Sequence, residues 1–150
     1  MSAASAGSPA EPPLPGAQLW ELLVPLCSTV ATRLERSVRS RHGMSLSSGM
    51  VLGAVVSAGD AGSTTGSLAQ QRGVNAASIS RVLVHLQEDG LVTRHQGAED
   101  GRLHIVRATA EGASRWRDFS ETIDQEMHRF FTAPAIVREH GDVVARLCSA

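Results

Sequence analysis

Two long stretches of the chain repeat apolar residues every three or four positions, which is the spacing of one face of an α-helix. The first covers about 17–41 and contains Pro25. Because a proline removes a backbone donor, we expect a kink or a restart of the helix at that point. The second covers 110–131, and Pro134 then suits the first turn of a last helix, through Leu147. The pattern therefore predicts helices at both ends of the chain.

Three shorter helices are predicted between them, each after a residue whose side chain can accept hydrogen bonds from the first turn. They cover about 46–58 after Ser45 or Ser47, 67–72 after Thr64 or Thr65, and 76–89 after Asn75. The second and third of these are separated only by Gly73, Val74 and Asn75. Two short helices joined by so tight a turn predict a helix-turn-helix.

After Gly90 the pattern becomes extended in two runs, 91–96 and 103–107, joined by the polar loop 97–102. These runs predict a strand-loop-strand wing behind the helix-turn-helix. The expected fold is therefore mainly α, a winged helix-turn-helix whose antiparallel wing has two or three strands.

The first 16 residues are rich in Ala, Ser, Gly and Pro and carry one charge, so we expect a disordered tail followed by a single domain, 17–150. No apolar run approaches the length of a membrane span and no basic leader precedes one, which predicts a cytoplasmic protein with no membrane partner. Two distant cysteines and six scattered histidines predict no metal site and no cofactor, since His42, Cys27 and His128 could meet only through tertiary contact.

All 14 basic residues are arginine, and 15 acids bring the formal net charge to −1. This balance excludes a protein that holds nucleic acid by bulk positive charge. Only five aromatic residues are present, too few for the stacking platforms that bind single strands. The charge is nevertheless uneven, because residues 61–87 contain two arginines and no acid. A double-stranded DNA partner is thus compatible with the composition.

The helix 76–89 has one apolar face, with Ile79, Leu83 and Leu86, and an opposite face of small and polar residues. Small side chains allow close approach to a major groove, and hydroxyl and guanidinium groups can bond bases or phosphates. An ordinary solvent-exposed helix would have the same pattern. The residues predicted to contact DNA from this helix are Ala76, Ala77, Ser78, Ser80, Arg81, Val84 and His85.

Five short motifs occur in one order: LAQQRGVN at 68–75, SISRVL at 78–83, LQEDGLV at 86–92, DGR at 100–102 and TAEG at 109–112. Together they resemble the MarR family of bacterial winged-helix regulators. The resemblance implies a homodimer formed by the helices of 17–42 and 113–150. It also implies that the winged helix 45–112 of each subunit reads half of a palindromic operator, with repression commonly relieved by a small ligand or by oxidation.

In the wing, Asp100 and Arg102 resemble the Asp-x-Arg motif of that family. Arg102 is expected to enter a minor groove, where narrow segments attract a guanidinium, and Asp100 to hold a nearby arginine and the loop shape. A solvated ion pair is the alternative. Arg94, on the first wing strand, completes the predicted DNA contacts.

The recognition helix departs from the family pattern in two places. Ala76 and Ala77 stand where members often carry a basic residue and a proline, and Val84 stands where a polar residue is common. Direct base readout is therefore expected to be thin. We predict that specificity depends on thymine methyl contacts and on groove shape.

The sequence gives little indication of what relieves repression. One hypothesis is a pocket between the dimer helices and the winged helix for a small aromatic or anionic effector, lined by Trp20, Arg33, Arg36 and Met50, although a dimer interface would use the same residue types. The other is redox sensing by Cys27 and Cys148, on elements that meet at the dimer interface in this family. We favour a simpler interpretation, with Cys27 a small core residue and Cys148 at a frayed end.

These observations predict a sequence-specific, double-stranded DNA-binding transcriptional regulator, expected to act as a dimeric repressor released by a small ligand or, as the less favoured alternative, by cysteine oxidation. An enzyme is not expected, because no triad order, paired carboxylates, P-loop or dinucleotide fingerprint occurs. The alternative is a winged-helix module that binds protein rather than DNA. The acidic segment 108–150, with seven acids and five arginines, would suit that alternative.

Overall fold

A computed structural model describes residues 16–96 and 104–134 of the chain, and within them the fold is mainly helical with one antiparallel hairpin. The α-helices are α1 (Gly16–His42), α2 (Leu46–Ser57), α3 (Thr65–Arg72), α4 (Ala76–Glu88) and α5 (Ala110–Phe131), and the strands are β1 (Val92–Gln96) and β2 (His104–Ala108). This element order confirms the predicted winged helix-turn-helix. The expected last helix after Pro134 lies outside the described residues.

Helix α1 is continuous through Pro25, so the predicted restart was wrong. Glu21, whose carbonyl loses its helical partner, is exposed, as is Pro25 itself, and water can therefore replace the missing bond. Gly16, which the composition placed in the tail, is the first residue of α1. The remainder of the predicted tail lies outside the described residues.

The observed helix caps show which of the alternative capping residues the protein uses. Ser45 caps α2, Thr64 caps α3 and Asn75 caps α4, each accepting a hydrogen bond from the backbone N–H three residues on. Thr64 is part of a reciprocal capping box, in which its own N–H donates to Oγ of Ser67 at 3.1 Å. Helix α3 consequently begins at Thr65, two residues before the predicted start.

The wing consists of β1 and β2 in antiparallel register, with Val92 opposite Ala108 and Gln96 opposite His104. Strand β1 begins one residue later than predicted and β2 continues one residue further, to Ala108, while the predicted start of β2 lies outside the described residues. A third segment contributes only an isolated bridge, in which Ser63 and Val106 exchange backbone hydrogen bonds of 2.9 and 2.7 Å. Among the described residues, the wing therefore has two strands. The predicted wing loop lies outside them.

Helix α2 occupies the centre of the core and packs closely on α5. Its glycines at positions 49 and 53 leave space for two aromatic rings of α5, Phe119 and Trp116, to lie against the α2 backbone. A methyl group at Gly49 would overlap the ring of Phe119. These glycines therefore set the distance between the winged helix and α5.

Helices α1 and α5 are joined by a buried carboxylate. Glu126 is 7% exposed and accepts hydrogen bonds from Nε of Arg33 at 3.3 Å and Nη1 of Arg129 at 3.0 Å. Burial raises the pKa of Glu126, but the hydrogen bonds from Arg33 and Ser37 and the charge of Arg129 outweigh it, so the pKa lies below its ordinary value. The carboxylate is therefore charged at neutral pH and ties the two long helices together.

The start of α5 is held against the chain that follows α4. The Oγ1 of Thr109 accepts a hydrogen bond from the N–H of Gly112 at 3.0 Å, and lies 2.8 Å from the carbonyl oxygen of Gly90 and 3.2 Å from that of Leu91. The backbone of Gly112 lies directly on the Leu91 carbonyl, where no side chain would fit. Helix α5 and the chain that follows α4 are thus in direct contact at this point.

Candidate nucleic-acid interface

The helix-turn-helix is formed by α3, a turn at Gly73 and α4. Gly73 takes the left-handed conformation, with φ of 64°, which ends α3 and lets the chain reverse. The N–H of Val74 then donates to the carbonyl of Ala69 at 3.1 Å. Leu68 and Ile79 are buried in the common core, so both helices are held by the same apolar cluster.

Helix α4 turns its predicted apolar face inward. Ile79, Leu83 and Leu86 are at most 2% exposed. The opposite face is open, and of the residues predicted to contact DNA, those that are exposed are Ala76, Ala77, Arg81, Val84 and His85. Ser78 and Ser80 are half-buried.

Three of the polar groups on α4 already have partners within the protein. The backbone N–H of Ser78 donates to the Asn75 side chain at 2.8 Å. Nη2 of Arg94 lies 3.5 Å from the carbonyl of Ser80, and Nδ1 of His85 lies 3.2 Å from a carboxylate oxygen of Glu88. The centre of the outer face is therefore a guanidinium, Arg81, flanked by small apolar side chains.

Of the residues predicted to contact DNA from the wing, the structure describes Arg94. Arg94, on β1, is half-buried, and its guanidinium lies against α4. Arg107, which we did not assign from the sequence, donates from Nε to the carbonyl of Asp60 at 2.7 Å and ties the wing to the turn before α3. Asp100 and Arg102 lie outside the described residues.

The local charge of this surface is positive. Arg72 and Arg81 are exposed, and no acid lies between Ala61 and Gln87. The N-terminal turn of α4 is also exposed, and the first N–H groups of a helix lack intrahelical partners and favour a phosphate. The arrangement can therefore bind a polyanion although the chain as a whole is nearly neutral.

The residues predicted for the effector pocket are divided between two grooves beside α1. Met50 lines an open groove of about 840 Å³ between α1, α2 and α5. Arg33 and Arg36 line a second groove of about 460 Å³ with hydroxyl groups of α1 and Phe130. Trp20, which is 69% exposed, lines neither of these two grooves.

The larger groove is mostly apolar. Its charged lining residues are Glu35, whose carboxylate accepts a hydrogen bond from the N–H of Leu46 at 2.7 Å, and Arg72, at the end of α3. We did not assign Arg72 from the sequence, because its approach to α1 is a tertiary contact. The apolar lining residues are Val30, Ala31, Leu34, Leu46, Met50, Ile123 and Met127.

Cys27 is exposed on α1, so its interpretation as a core residue was wrong; its position falls on the outer surface of that helix. Cys148 lies outside the described residues. Within 16–96 and 104–134, no three His, Cys, Asp or Glu side chains are placed to hold a metal ion. No helix in this part of the chain is both long and apolar enough to cross a membrane.

Comparison with solved structures supports the same architecture. BldR, a transcriptional regulator from Sulfolobus solfataricus, is 19% identical with a TM-score of 0.71, over 89% of this chain and 94% of BldR. The MepR–DNA complex of S. aureus is 15% identical with a TM-score of 0.66, over 92% of this chain and all of MepR (100%). CouR from Rhodococcus jostii, bound to p-coumaroyl-CoA, is 23% identical with a TM-score of 0.66, over 84% of this chain and 88% of CouR.

The helix-turn-helix, its wing and the long flanking helices thus define a winged-helix protein. No curated protein matches the chain. Residues 42–103 match the profile of the MarR family. The winged-helix segment of this chain thus matches the family that its motifs resemble, and the solved structures share its fold.

Proposed function

We propose that this protein is a sequence-specific, double-stranded DNA-binding transcriptional regulator. The observation that carries the proposal is the open outer face of α4, with Arg81 at its centre in a segment that contains no acid. A helix of this size fits a major groove, and its exposed N-terminal turn suits a phosphate. MepR, which shares the fold, is solved in complex with DNA.

The test is DNA binding after selection from a random pool, measured as a function of salt. We expect a palindromic site with half-sites about one helical turn apart and an affinity that falls steeply with salt. Replacing Arg81 by Ala should weaken binding about tenfold or more, because a guanidinium contact to a base or phosphate is lost. Arg117→Ala, an exposed arginine of α5, is the matched control and should change affinity by less than about twofold.

A protein-interaction module without DNA binding remains the competing function. It predicts no DNA shift even at low salt, where electrostatic binding is strongest. Equal affinities of the wild type and Arg81→Ala for the selected site would also contradict the proposal.

We further propose that two copies act together as a repressor. The first half of α1 exposes Trp20 and Val24, which are 69% and 40% exposed. Large apolar side chains on a long helix are what an interface between subunits uses. Pairing through α1 would give the two recognition helices the symmetry of a palindrome.

The larger groove supports the proposal that a small molecule releases the protein from DNA. It offers about 840 Å³ of mostly apolar space with Arg72 at its edge, which suits an apolar anion. Because Arg72 belongs to α3, an anion bound there would contact the helix-turn-helix directly. CouR, which shares the fold, is solved with a bound acyl-CoA.

Calorimetry with 2-naphthoate tests the effector proposal. We expect binding that weakens the protein–DNA complex, and a roughly tenfold lower affinity for 2-naphthoate in Arg72→Gln because a charged hydrogen bond is lost. The neutral analogue 2-naphthalenemethanol should bind wild type and variant alike. Unchanged 2-naphthoate affinity in Arg72→Gln would remove Arg72 from the site.

A further inference from the structure

Val84 is a large apolar side chain on the exposed outer face of α4. It is 44% exposed, and the other exposed large hydrophobic residues in the described part of the chain are Trp20, Val24 and Val74. Two of these belong to α1 and one to the turn before α4. Val84 alone lies on the outer face of α4, one turn after Arg81.

We propose that Val84 reads a thymine, by packing its isopropyl group against the 5-methyl group of the base, and that Arg81 reads a guanine within two base pairs of it. The inference rests on the proposed DNA-binding function and names what that surface recognises.

The chemistry of the major groove selects thymine for such a side chain. Guanine, cytosine and adenine present hydrogen-bonding atoms there, whereas thymine adds a methyl group. Valine can neither donate nor accept a hydrogen bond, so packing it on the other base edges would leave their polar atoms unpaired. Burying one methyl group against another is favourable by contrast.

The spacing of Arg81 and Val84 sets how far apart the two bases lie. Three residues advance about 4.5 Å along a helix axis, and consecutive bases in a strand are about 3.4 Å apart. Two side chains on the same face of α4 therefore meet bases that are one or two pairs apart. A guanidinium bonds the O6 and N7 atoms of guanine in its preferred bidentate geometry.

The groups beside Val84 on α4 are either already paired or too short, so Val84 is the residue that can contact the thymine methyl group. His85 is paired with Glu88, and the Ser80 carbonyl with Arg94. Ala77 is two turns away and has only one methyl group, which lets the N-terminal part of α4 approach the groove closely. Val84 is thus the longest apolar group that the outer face of α4 presents.

The experiment begins with parallel selection of DNA from a random pool by the wild type and by Val84→Ala. Each thymine of the wild-type site is then replaced in turn by deoxyuridine, which lacks only the methyl group. We expect one thymine per half-site, next to or one pair from a guanine, whose replacement weakens wild-type binding about fourfold. The same replacement should leave Val84→Ala unaffected, and the other thymines should matter to both proteins equally.

Two further variants complete the design. Val74→Ala also removes methyl groups from an exposed valine, but in the turn before α4, and should keep the full ratio between thymine and deoxyuridine. Val84→Asn should shift the preferred base from thymine to adenine, because an amide bonds adenine in a bidentate manner. Circular dichroism confirms that each variant is folded.

The outcomes are separable. If the selected site holds no such thymine, or if its replacement by deoxyuridine weakens Val84→Ala as much as the wild type, the assignment of Val84 is wrong while DNA binding stands. If neither protein selects any DNA, the proposed function fails and this inference fails with it.

Discussion

His42, at the end of α1, makes the stability of the fold depend on pH. Its Nε2 lies 2.8 Å from the Oγ1 of Thr122, and its ring centroid is 5.4 Å from that of Phe119. Burial lowers the pKa of His42, and the charges of Arg115 and Arg41 lower it further against the opposing effect of Asp118. The neutral imidazole is therefore the form that the folded protein favours.

The sign of the resulting pH dependence follows from this direction. Because the pKa is lower in the folded state, the unfolded chain binds more protons, and the stabilisation is complete above the ordinary value of 6.5. It is lost as the pH falls from there through the folded pKa. Urea unfolding at pH 7.5 and pH 5.5 should show a larger loss of unfolding free energy in the wild type than in His42→Gln, which cannot charge. Equal losses in the two proteins would show that other groups cause the acid sensitivity.

For single residues, contacts with partners a few positions away were predictable from the sequence. Contacts between residues far apart in the chain were not. Asn75 could be assigned as a cap because its partner lies three residues away. The bond between Arg33 and Glu126 spans 93 positions, and no local pattern indicates it. Cys27 illustrates the same limit, since helical spacing alone did not show which side of α1 the fold leaves exposed.

Among elements, the contact between α2 and α5 depends on glycine. Replacing Gly49 by Ala would place a methyl group in overlap with the end of the Phe119 ring, so the ring or one of the two helices must shift. We expect a loss of about 1–3 kcal/mol in unfolding free energy, the usual cost of overpacking a core. Thermal and urea unfolding measure it.

The control is Gly16→Ala at the start of α1, where an added methyl group meets no atom within 4 Å. It should leave stability unchanged or slightly raised. A smaller penalty for Gly49→Ala in a Phe119→Leu background would identify the ring as the cause. A neutral Gly49→Ala would contradict the close packing.

The helices and strands themselves were largely predictable, because the spacing of apolar residues and the capping residues depend only on nearby sequence. The order of helices and strands and the inward face of α4 agree with the pattern of apolar residues. The exceptions depend on context: α1 continues through Pro25 because the carbonyl freed by the proline faces water, and the third wing strand is only a bridge at Ser63. The DNA-contact residues stay a prediction.

At the scale of the whole molecule, the exposed start of α1 predicts association. Replacing Trp20 by Ser should raise the dissociation constant of the dimer about thirtyfold, which corresponds to the roughly 2 kcal/mol typical of an interfacial tryptophan. Sedimentation equilibrium measures it directly. Val74→Ser, a similarly exposed residue of the helix-turn-helix, should not change it. A monomeric wild type, or a dimer unaffected by Trp20→Ser, would contradict the proposed pairing.

The contacts of Thr109 and Gly112 with Gly90 and Leu91, just after α4, give α5 the properties of a lever arm. Helix α5 has 22 residues and is thus about 33 Å long, so a tilt of about 5° at one end displaces the other by about 3 Å. That displacement is close to the rise of one base pair. In a pair of subunits, a small rotation of α5 would therefore move the two recognition helices out of step with successive major grooves, without unfolding either winged helix.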